Sequence, residues 1–285
     1  MNPHILPLSL LLLLPPAMAR ADERSTMDRM AQEHEHDKPA ATQAALQEPA
    51  QPVSAEEVTY GEAGGKPLRG YLARPKSAPG ALPGLIVIHE WWGLNDNIRA
   101  MTRRLAGEGY RALAVDLYGG EKADNPDAAM KLVNATMQNR AAAEDNLRRA
   151  VAYLERNGTP KIGVIGWCFG GGFSLSTALL VPEKINATVI YYGHLETDPA
   201  KLATIKSPIL GLFGADDKSI PVASVQEFEN ALKKLGKPVE IKIYDGAGHA
   251  FANPSGGNYR PEAAKDAWQR TTSFFARHLQ RGGGR

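Results

Sequence analysis

The sequence predicts an α/β domain in which a mostly parallel central sheet carries helices on both faces. Short apolar runs rich in β-branched residues recur along the chain, as in strands buried on both faces of a parallel sheet. Between these runs, apolar residues recur three and four positions apart, which is the period of an amphipathic helix. Alternation of the two patterns is typical of repeated β-α units.

Seven runs are predicted to be strands. They lie at 68–73, 85–89, 112–115, 162–165, 188–191, 209–213 and 239–244. Helical spacing is found in the segments that contain Ile98, Leu147, Val222 and Trp268, and Asn95 or Asp96 is a candidate N-cap of the first helix. No internal repeat is evident. We therefore expect a single catalytic domain of ordinary enzyme size over residues 56–281.

The first 21 residues are expected to be a signal peptide. An apolar run at 5–14 precedes the small-residue pattern Ala-Met-Ala at 17–19, which is typical of a secretory cleavage site. A membrane-spanning helix needs about 20 apolar residues, so we expect no membrane attachment once the signal is removed. The prediction is an exported protein, periplasmic or secreted.

Residues 22–55 are expected to form a disordered linker. They are rich in Ala, Gln, Glu and Pro and contain few large apolar residues, so they bury too little surface to offset the entropy of ordering. The motif His-Glu-His at 34–36 offers metal-binding side chains, but a segment without fixed structure does not preorganise a tight site. We expect a solvated charged stretch there, and no metal or cofactor in the protein.

Composition excludes one class of partner. The formal net charge is +2, and no basic stripe is present, so nucleic acid binding is not expected. Cys168 is the only cysteine, so an intrachain disulfide is impossible. The simplest explanation of a lone cysteine is a small buried apolar side chain. The expected partner is a small molecule, and a monomer is the favoured oligomeric state.

The motif Gly-Trp-Cys-Phe-Gly-Gly at 166–171 gives Cys168 a second explanation. It follows a predicted strand directly and leads into an apolar helix, as in a nucleophile elbow. The amino end of a helix favours the thiolate form of a cysteine. A dinucleotide-binding loop is disfavoured because the spacing Gly-x-Gly-x-x-Gly is absent.

An acid and a histidine follow the cysteine in the order expected of α/β-hydrolases. Asp216 and Asp217 come after the strand at 209–213, and His249 comes after the strand at 239–244. A thiol nucleophile needs an imidazole to take its proton and a carboxylate to orient that imidazole. Each residue alone could be an ordinary turn residue. Together they predict a catalytic triad, with Asp216 as the reserve for Asp217.

The chain from 56 to 279 resembles the dienelactone hydrolase family, which has the α/β-hydrolase fold. The motifs that carry the resemblance are His-Glu-Trp-Trp-Gly at 89–93, Val-Asp-Leu-Tyr at 115–118, the motif at 166–171, Gly-Ala-Asp-Asp at 214–217 and Gly-Ala-Gly-His-Ala-Phe at 246–251. The resemblance implies hydrolysis of a small ester or lactone without a cofactor. It also implies that Glu90 shares control of the Cys168 proton with His249, and its spacing favours Asp217 as the acid.

The oxyanion hole is expected to be formed by two backbone N–H groups. In hydrolases of this fold one amide follows the nucleophile and the other comes from the loop after an early strand. The candidates are Phe169 and Trp91. Both would stabilise the negative charge that develops on the substrate oxygen.

Two positions depart from the family pattern. Dienelactone hydrolases bind a substrate carboxylate with two arginines, whereas this sequence has Gly119-Gly120 and Asn253 at those places. A guanidinium is the natural bidentate partner of a carboxylate, so we expect weaker use of anionic dienelactones. Arg111 and Arg260 are alternative carboxylate partners that the sequence alone does not place.

A hypothesis from another class remains open. The chain could be a non-catalytic binding protein or a thiol redox sensor, because an accessible low-pKa thiol oxidises readily. Against it, no second cysteine is present to resolve a sulfenic acid.

Overall fold

A computed structural model describes residue 29 and residues 32–34, 37, 39–43, 45–78 and 80–280. The expected signal peptide at 1–21 lies outside these residues. Within them, no helix is long and apolar enough to cross a membrane.

Eight strands form one sheet in the spatial order β1-β2-β4-β3-β5-β6-β7-β8. Neighbours from β4 to β8 are parallel, whereas β1 and β2 pair antiparallel at one edge. The strands are β1 Val53–Ala63, β2 Lys66–Pro75, β3 Gly84–Ile88, β4 Arg111–Val115, β5 Ile162–Trp167, β6 Ile185–Tyr191, β7 Ile209–Gly214 and β8 Val239–Tyr244. This confirms the mostly parallel sheet and all seven strands expected from the sequence.

Helices cover both faces of the sheet. They are α1 Asp96–Gly107, α2 Pro126–Gln138, α3 Arg140–Arg156, α4 Phe169–Leu180, the short α5 Pro199–Leu202, α6 Val222–Lys234 and α7 Pro261–Phe275, which continues into a π-helical turn at Ala276–Gln280. Asn95 caps α1, since its side-chain oxygen accepts a hydrogen bond from the Ile98 N–H at 3.2 Å. Of the two candidate caps, Asn95 is therefore the one used.

Strand β1 was not expected from the sequence. It begins at Val53, inside the segment expected to be a linker, and pairs with β2 at the edge of the sheet. Most of its side chains are partly or fully exposed, so it lacks the continuous apolar pattern of a buried strand. An edge strand of this kind carries a weak sequence signal.

The parallel strands bring distant parts of the chain to one edge of the sheet. Strands β3, β5, β7 and β8 end at Ile88, Trp167, Gly214 and Tyr244. Because they run in the same direction, the residues that follow them meet at the carboxyl edge, where open α/β sheets place their ligands. The loops that carry the predicted site residues all begin at this edge.

Candidate active site

Cys168 lies on a strained turn between β5 and α4. Its φ of 53° and ψ of −119° fall in a region that residues with a Cβ rarely adopt. Its backbone N–H donates to the Tyr191 carbonyl oxygen at 3.0 Å, which ties the turn to the neighbouring strand β6. The structure therefore confirms the elbow conformation, and the thiol stands at the amino end of a helix.

The glycines of this turn are required by close backbone contacts. A Cβ on Gly166 would lie 2.2 Å from the Gly170 carbonyl oxygen, and one on Gly170 would lie 2.4 Å from that of Ile88. Real Cβ atoms do not approach backbone oxygens so closely, so only glycine fits.

His249 and Asp217 form a fully buried pair. His249 Nδ1 lies 2.8 Å from Asp217 Oδ2. The other carboxylate oxygen accepts from the N–H groups of Ser219 at 2.8 Å and Ile220 at 2.7 Å. Asp216, by contrast, is exposed. The carboxylate that fixes the imidazole is therefore that of Asp217.

Charges at the site shift both pKa values in the direction that gives an ion pair. Burial alone would raise the pKa of the Cys168 thiol, but the positive charges of His249 and His34 lower it to about 6. Burial disfavours the His249 imidazolium, yet the negative charges of Asp217 and the thiolate raise its pKa well above the usual value. At neutral pH the pair is therefore a thiolate facing an imidazolium.

Glu90 is buried beside this pair and accepts hydrogen bonds from two side chains. The Tyr192 hydroxyl donates a hydrogen bond to Glu90 Oε1 at 3.4 Å, and the Asn253 side-chain amide donates one to Oε2 at 3.1 Å. Burial and the negative charge of Cys168 raise the pKa of Glu90 to about 8. The carboxyl group of Glu90 is therefore mainly protonated at neutral pH.

The two expected oxyanion amides belong to the turns that flank this site. Phe169 is the first residue of α4, where backbone N–H groups have no partner inside the helix. Trp91 is in the turn after β3, and its side chain is buried. His89 braces that turn, since its Nε2 accepts from the Leu117 N–H at 3.1 Å and its Nδ1 lies 2.6 Å from the Glu90 carbonyl oxygen.

A histidine from the N-terminal segment also enters the site. His34 Nε2 lies 3.8 Å from the Cys168 sulfur, and its ring centroid lies 4.5 Å from that of Trp91. His34 is fully buried, so the expectation of a solvated stretch is wrong at this residue. Burial disfavours its charged form, but hydrogen bonds to Asp37 and Cys168 raise its pKa to about 9.

Polar contacts hold the described part of this segment against the domain. Asp37 accepts from the Gly257 N–H at 3.0 Å, and Thr42 donates to the Pro254 carbonyl at 3.0 Å. The Glu33 carboxylate accepts from the Lys218 N–H at 3.0 Å. Disorder of 22–55 as a whole stays a prediction, but these residues lie over the site.

The segment leaves little room at the cysteine. Cys168 is 2% exposed. A cavity of about 20 Å³ beside Glu90 is bounded by Ala45 of the segment together with Trp167 and Tyr192. Small-molecule sites are typically about 300–1,000 Å³, so this cavity is too small to hold an ester.

The positions that depart from the family pattern carry no cation. Cβ atoms added at Gly119 and Gly120 would meet open space, and Asn253 is engaged with Glu90. Arg111 begins β4 and so lies at the opposite edge of the sheet. Arg260 is held by the Gly246 and Tyr259 carbonyls.

Comparison with known proteins identifies the family of this chain. Residues 68–279 match the dienelactone hydrolase family. The chain belongs to that family. Its activity class is therefore hydrolysis of small esters or lactones.

Three relatives illustrate the match. A protein of Saccharolobus solfataricus named "Putative carboxymethylenebutenolidase" is 35% identical over 78% of this chain and 98% of its own length. Protein usf of Aquifex pyrophilus is 38% identical over 76% of this chain and 96% of its own. The crystal structure titled "Putative Dienelactone Hydrolase" from Klebsiella pneumoniae is 32% identical, covers 80% of this chain and all of its own, and superposes with a TM-score of 0.72.

Sequence reasoning missed three residues that the structure places at the site. Tyr192 follows β6 and has a φ of 37°, which the sequence does not reveal. Asn253 was noted only for what it replaces. His34 lies 134 positions from Cys168, in a segment whose composition predicts no structure.

Proposed function

We propose that this hydrolase uses Cys168 as nucleophile, His249 as general acid and base, and Asp217 as the group that orients His249. The observation that carries the proposal is the buried His249–Asp217 pair beside a thiol on a strained elbow. This is the arrangement that nucleophilic acyl transfer requires.

The first half of the reaction forms a thioester. The Cys168 thiolate attacks the substrate carbonyl carbon and forms a carbon–sulfur bond. As the tetrahedral intermediate collapses, the carbon–oxygen bond breaks, and the His249 imidazolium donates its proton to the leaving oxygen. For a lactone, that oxygen stays attached to the same molecule through its chain.

The second half restores the enzyme. A water molecule gives a proton to neutral His249 and attacks the thioester carbonyl. Collapse of this intermediate releases the carboxylic acid and returns the thiolate. The backbone N–H groups of Phe169 and Trp91 are proposed to stabilise the oxyanion in both halves, which is worth roughly 3–4 kcal/mol per donor in hydrolases of this kind.

Glu90 is proposed to hold a proton near the thiol while the site is at rest. Its pKa of about 8 supports this role. A neutral carboxyl adds no repulsion to the Cys168 thiolate, whereas an ionised one would. Tyr192 and Asn253 fix its position by donating to both oxygens.

Uncharged esters or lactones are proposed as better substrates than anionic ones. The support is the lack of a cation at Gly119, Gly120 and Asn253. In addition, the Arg260 side chain is already bound to the Gly246 and Tyr259 carbonyls. A substrate carboxylate would be desolvated there without a counterion. Paired kinetics on an anionic dienelactone and its methyl ester tests this, and a preference for the anion would contradict it.

Export is proposed as well, on the apolar run at 5–14 and the Ala-Met-Ala pattern at 17–19. The intact mass of the protein recovered from cell fractions tests this. A full-length chain confined to the cytosol would contradict it.

The experiment on mechanism is burst and steady-state kinetics with p-nitrophenyl acetate and an enol lactone, comparing wild type with Cys168→Ala. We expect turnover that the substitution abolishes, and a trapped thioester on Cys168 in the mass spectrum. Activity that survives Cys168→Ala would overturn the assignment. Stoichiometric oxidation by peroxide without turnover would favour a redox sensor.

A further inference from the structure

Three buried donor groups converge at the candidate active site. The potential ligand atoms of His34, Cys168 and His249 all lie within 4.8 Å of one another, and all three residues are buried. The thiol sulfur and His34 Nε2 are 3.8 Å apart. His249 Nε2 is buried, and the His249 side chain interacts with the Cys168 thiol.

Each imidazole is backed by a carboxylate. His249 Nδ1 is bound to Asp217 Oδ2 at 2.8 Å, and His34 Nδ1 is bound to Asp37 Oδ2 at 2.5 Å. Both rings are therefore oriented with Nε2 available for the centre of the cluster. A carboxylate on the far nitrogen is the outer-sphere arrangement of metal-bound histidines, where it fixes the tautomer and strengthens the ligand.

The cluster fits a tetrahedral ion of borderline softness. With Zn–S of about 2.3 Å and Zn–N of about 2.0–2.1 Å, a tetrahedral centre separates sulfur from nitrogen by about 3.6 Å, close to the 3.8 Å between Cys168 and His34. We propose that His34, Cys168 and His249 form a binding site for a divalent cation of the Zn²⁺ type. The fourth position would be taken by water or a small anion.

A second set of donors near the site is less suitable. Glu33, Asp217 and His249 also approach one another. However, both oxygens of Asp217 already accept hydrogen bonds, and Glu33 is engaged by the Lys218 N–H and the Ser219 hydroxyl. These groups would have to give up their partners, so we place the ion at the sulfur.

Occupancy would inactivate the hydrolase and hold the N-terminal segment in place. The ion takes the lone pair of the Cys168 thiolate that would attack a carbonyl, and it takes the His249 nitrogen that moves protons. Because His34 comes from the segment, a bond to the ion also ties that segment to the domain. The site is therefore a reversible inhibitory site for Zn²⁺, distinct from the proposed hydrolytic function.

The test measures metal binding directly. The purified chain is stripped with a chelator and titrated with Zn²⁺ against a chromophoric competitor, and a parallel sample receives Co²⁺. We expect one ion per chain and a thiolate-to-cobalt charge-transfer band with the intense visible bands of a tetrahedral site. Both signals should be lost in Cys168→Ala.

Two variants distinguish this site from adventitious binding, and His278→Ala is the matched control. Asp37→Asn keeps the ligand but removes its carboxylate, so we expect about 10- to 100-fold weaker Zn²⁺ binding. His34→Ala removes a ligand and should weaken binding further, whereas His278, beside Phe274 on the terminal turn, should have no effect.

Equal Zn²⁺ affinity in wild type and His34→Ala would overturn the proposal, as would a cobalt spectrum without the thiolate band. Neither measurement depends on turnover. Failure of the proposed hydrolytic mechanism would therefore be seen separately, as absent esterase activity in the metal-free enzyme.

Discussion

Removing the His34 side chain should expose Cys168 to reagents in solution. The thiol is 2% exposed, and His34 lies directly on it at 3.8 Å. Hydrogen bonds to charged groups are worth about 1.5–3 kcal/mol, and each 1.4 kcal/mol corresponds to a factor of ten. Loss of this contact should therefore raise the fraction of molecules in which the Cys168 thiol is accessible about 10- to 100-fold.

The assay is the rate of alkylation by iodoacetamide under pseudo-first-order conditions with chelator present. Cys168 is the only cysteine, so labelling reports this one thiol without background. The pH is chosen so that the thiol is ionised in both proteins, because loss of His34 also removes a charge that lowers its pKa. His278→Ala is again the control.

A rate for His34→Ala equal to that of wild type would refute the reasoning, provided that both proteins have the same circular dichroism. It would mean that the segment does not limit access to the sulfur. A faster rate in His278→Ala would refute it too, since it would show general loosening of the domain.

Three further outcomes are expected. Asp217→Asn should lower kcat/KM by about 10³- to 10⁴-fold because the imidazole loses its fixed tautomer. Asp216 is exposed, so Asp216→Asn should leave kcat/KM nearly unchanged. Similar losses in both variants would contradict the assignment of Asp217. In metal-free enzyme, kcat/KM should fall about tenfold per pH unit below pH about 6, since the Cys168 pKa is lowered to that value and protonation removes the thiolate. If kcat/KM began to fall already at about pH 8 to 9, the thiol pKa would be unperturbed. Gly166→Ala should lower the free energy of unfolding by about 3 kcal/mol, measured by urea denaturation, because its Cβ would meet backbone at 2.2 Å. A Cβ on Gly80 would meet open space, so Gly80→Ala should leave the free energy of unfolding unchanged. Equal effects of the two substitutions would count against the close contact at Gly166.

The sequence predicted most of the sheet because its central strands are buried on both faces. Strand β3 is buried at every residue, so its apolar run is continuous and easily recognised. Cys168 could be placed because a strand, two glycines and a helix surround it within a few positions. The same local signals placed Asp217 and His249 at strand ends.

The parts that were not predicted depend on contacts that are distant in the chain. Strand β1 is specified by pairing with β2 rather than by its own apolar pattern. His34 is buried because Trp91, Asp37 and Cys168 together accommodate it. Composition suggests solvent exposure for such a residue, and no local pattern indicates the partners that bury it.

Strand order has a consequence for how activity is gained during folding. Cys168, Asp217 and His249 follow β5, β7 and β8, and β6 lies between the first two of these strands. A shift of one residue in the register of β5 would turn its alternate side chains to the opposite face and carry the thiol away from the imidazole. Hydrolytic activity should therefore appear only when strands β5 to β8 have paired in their final register, so that regain of turnover reports the completion of this pairing.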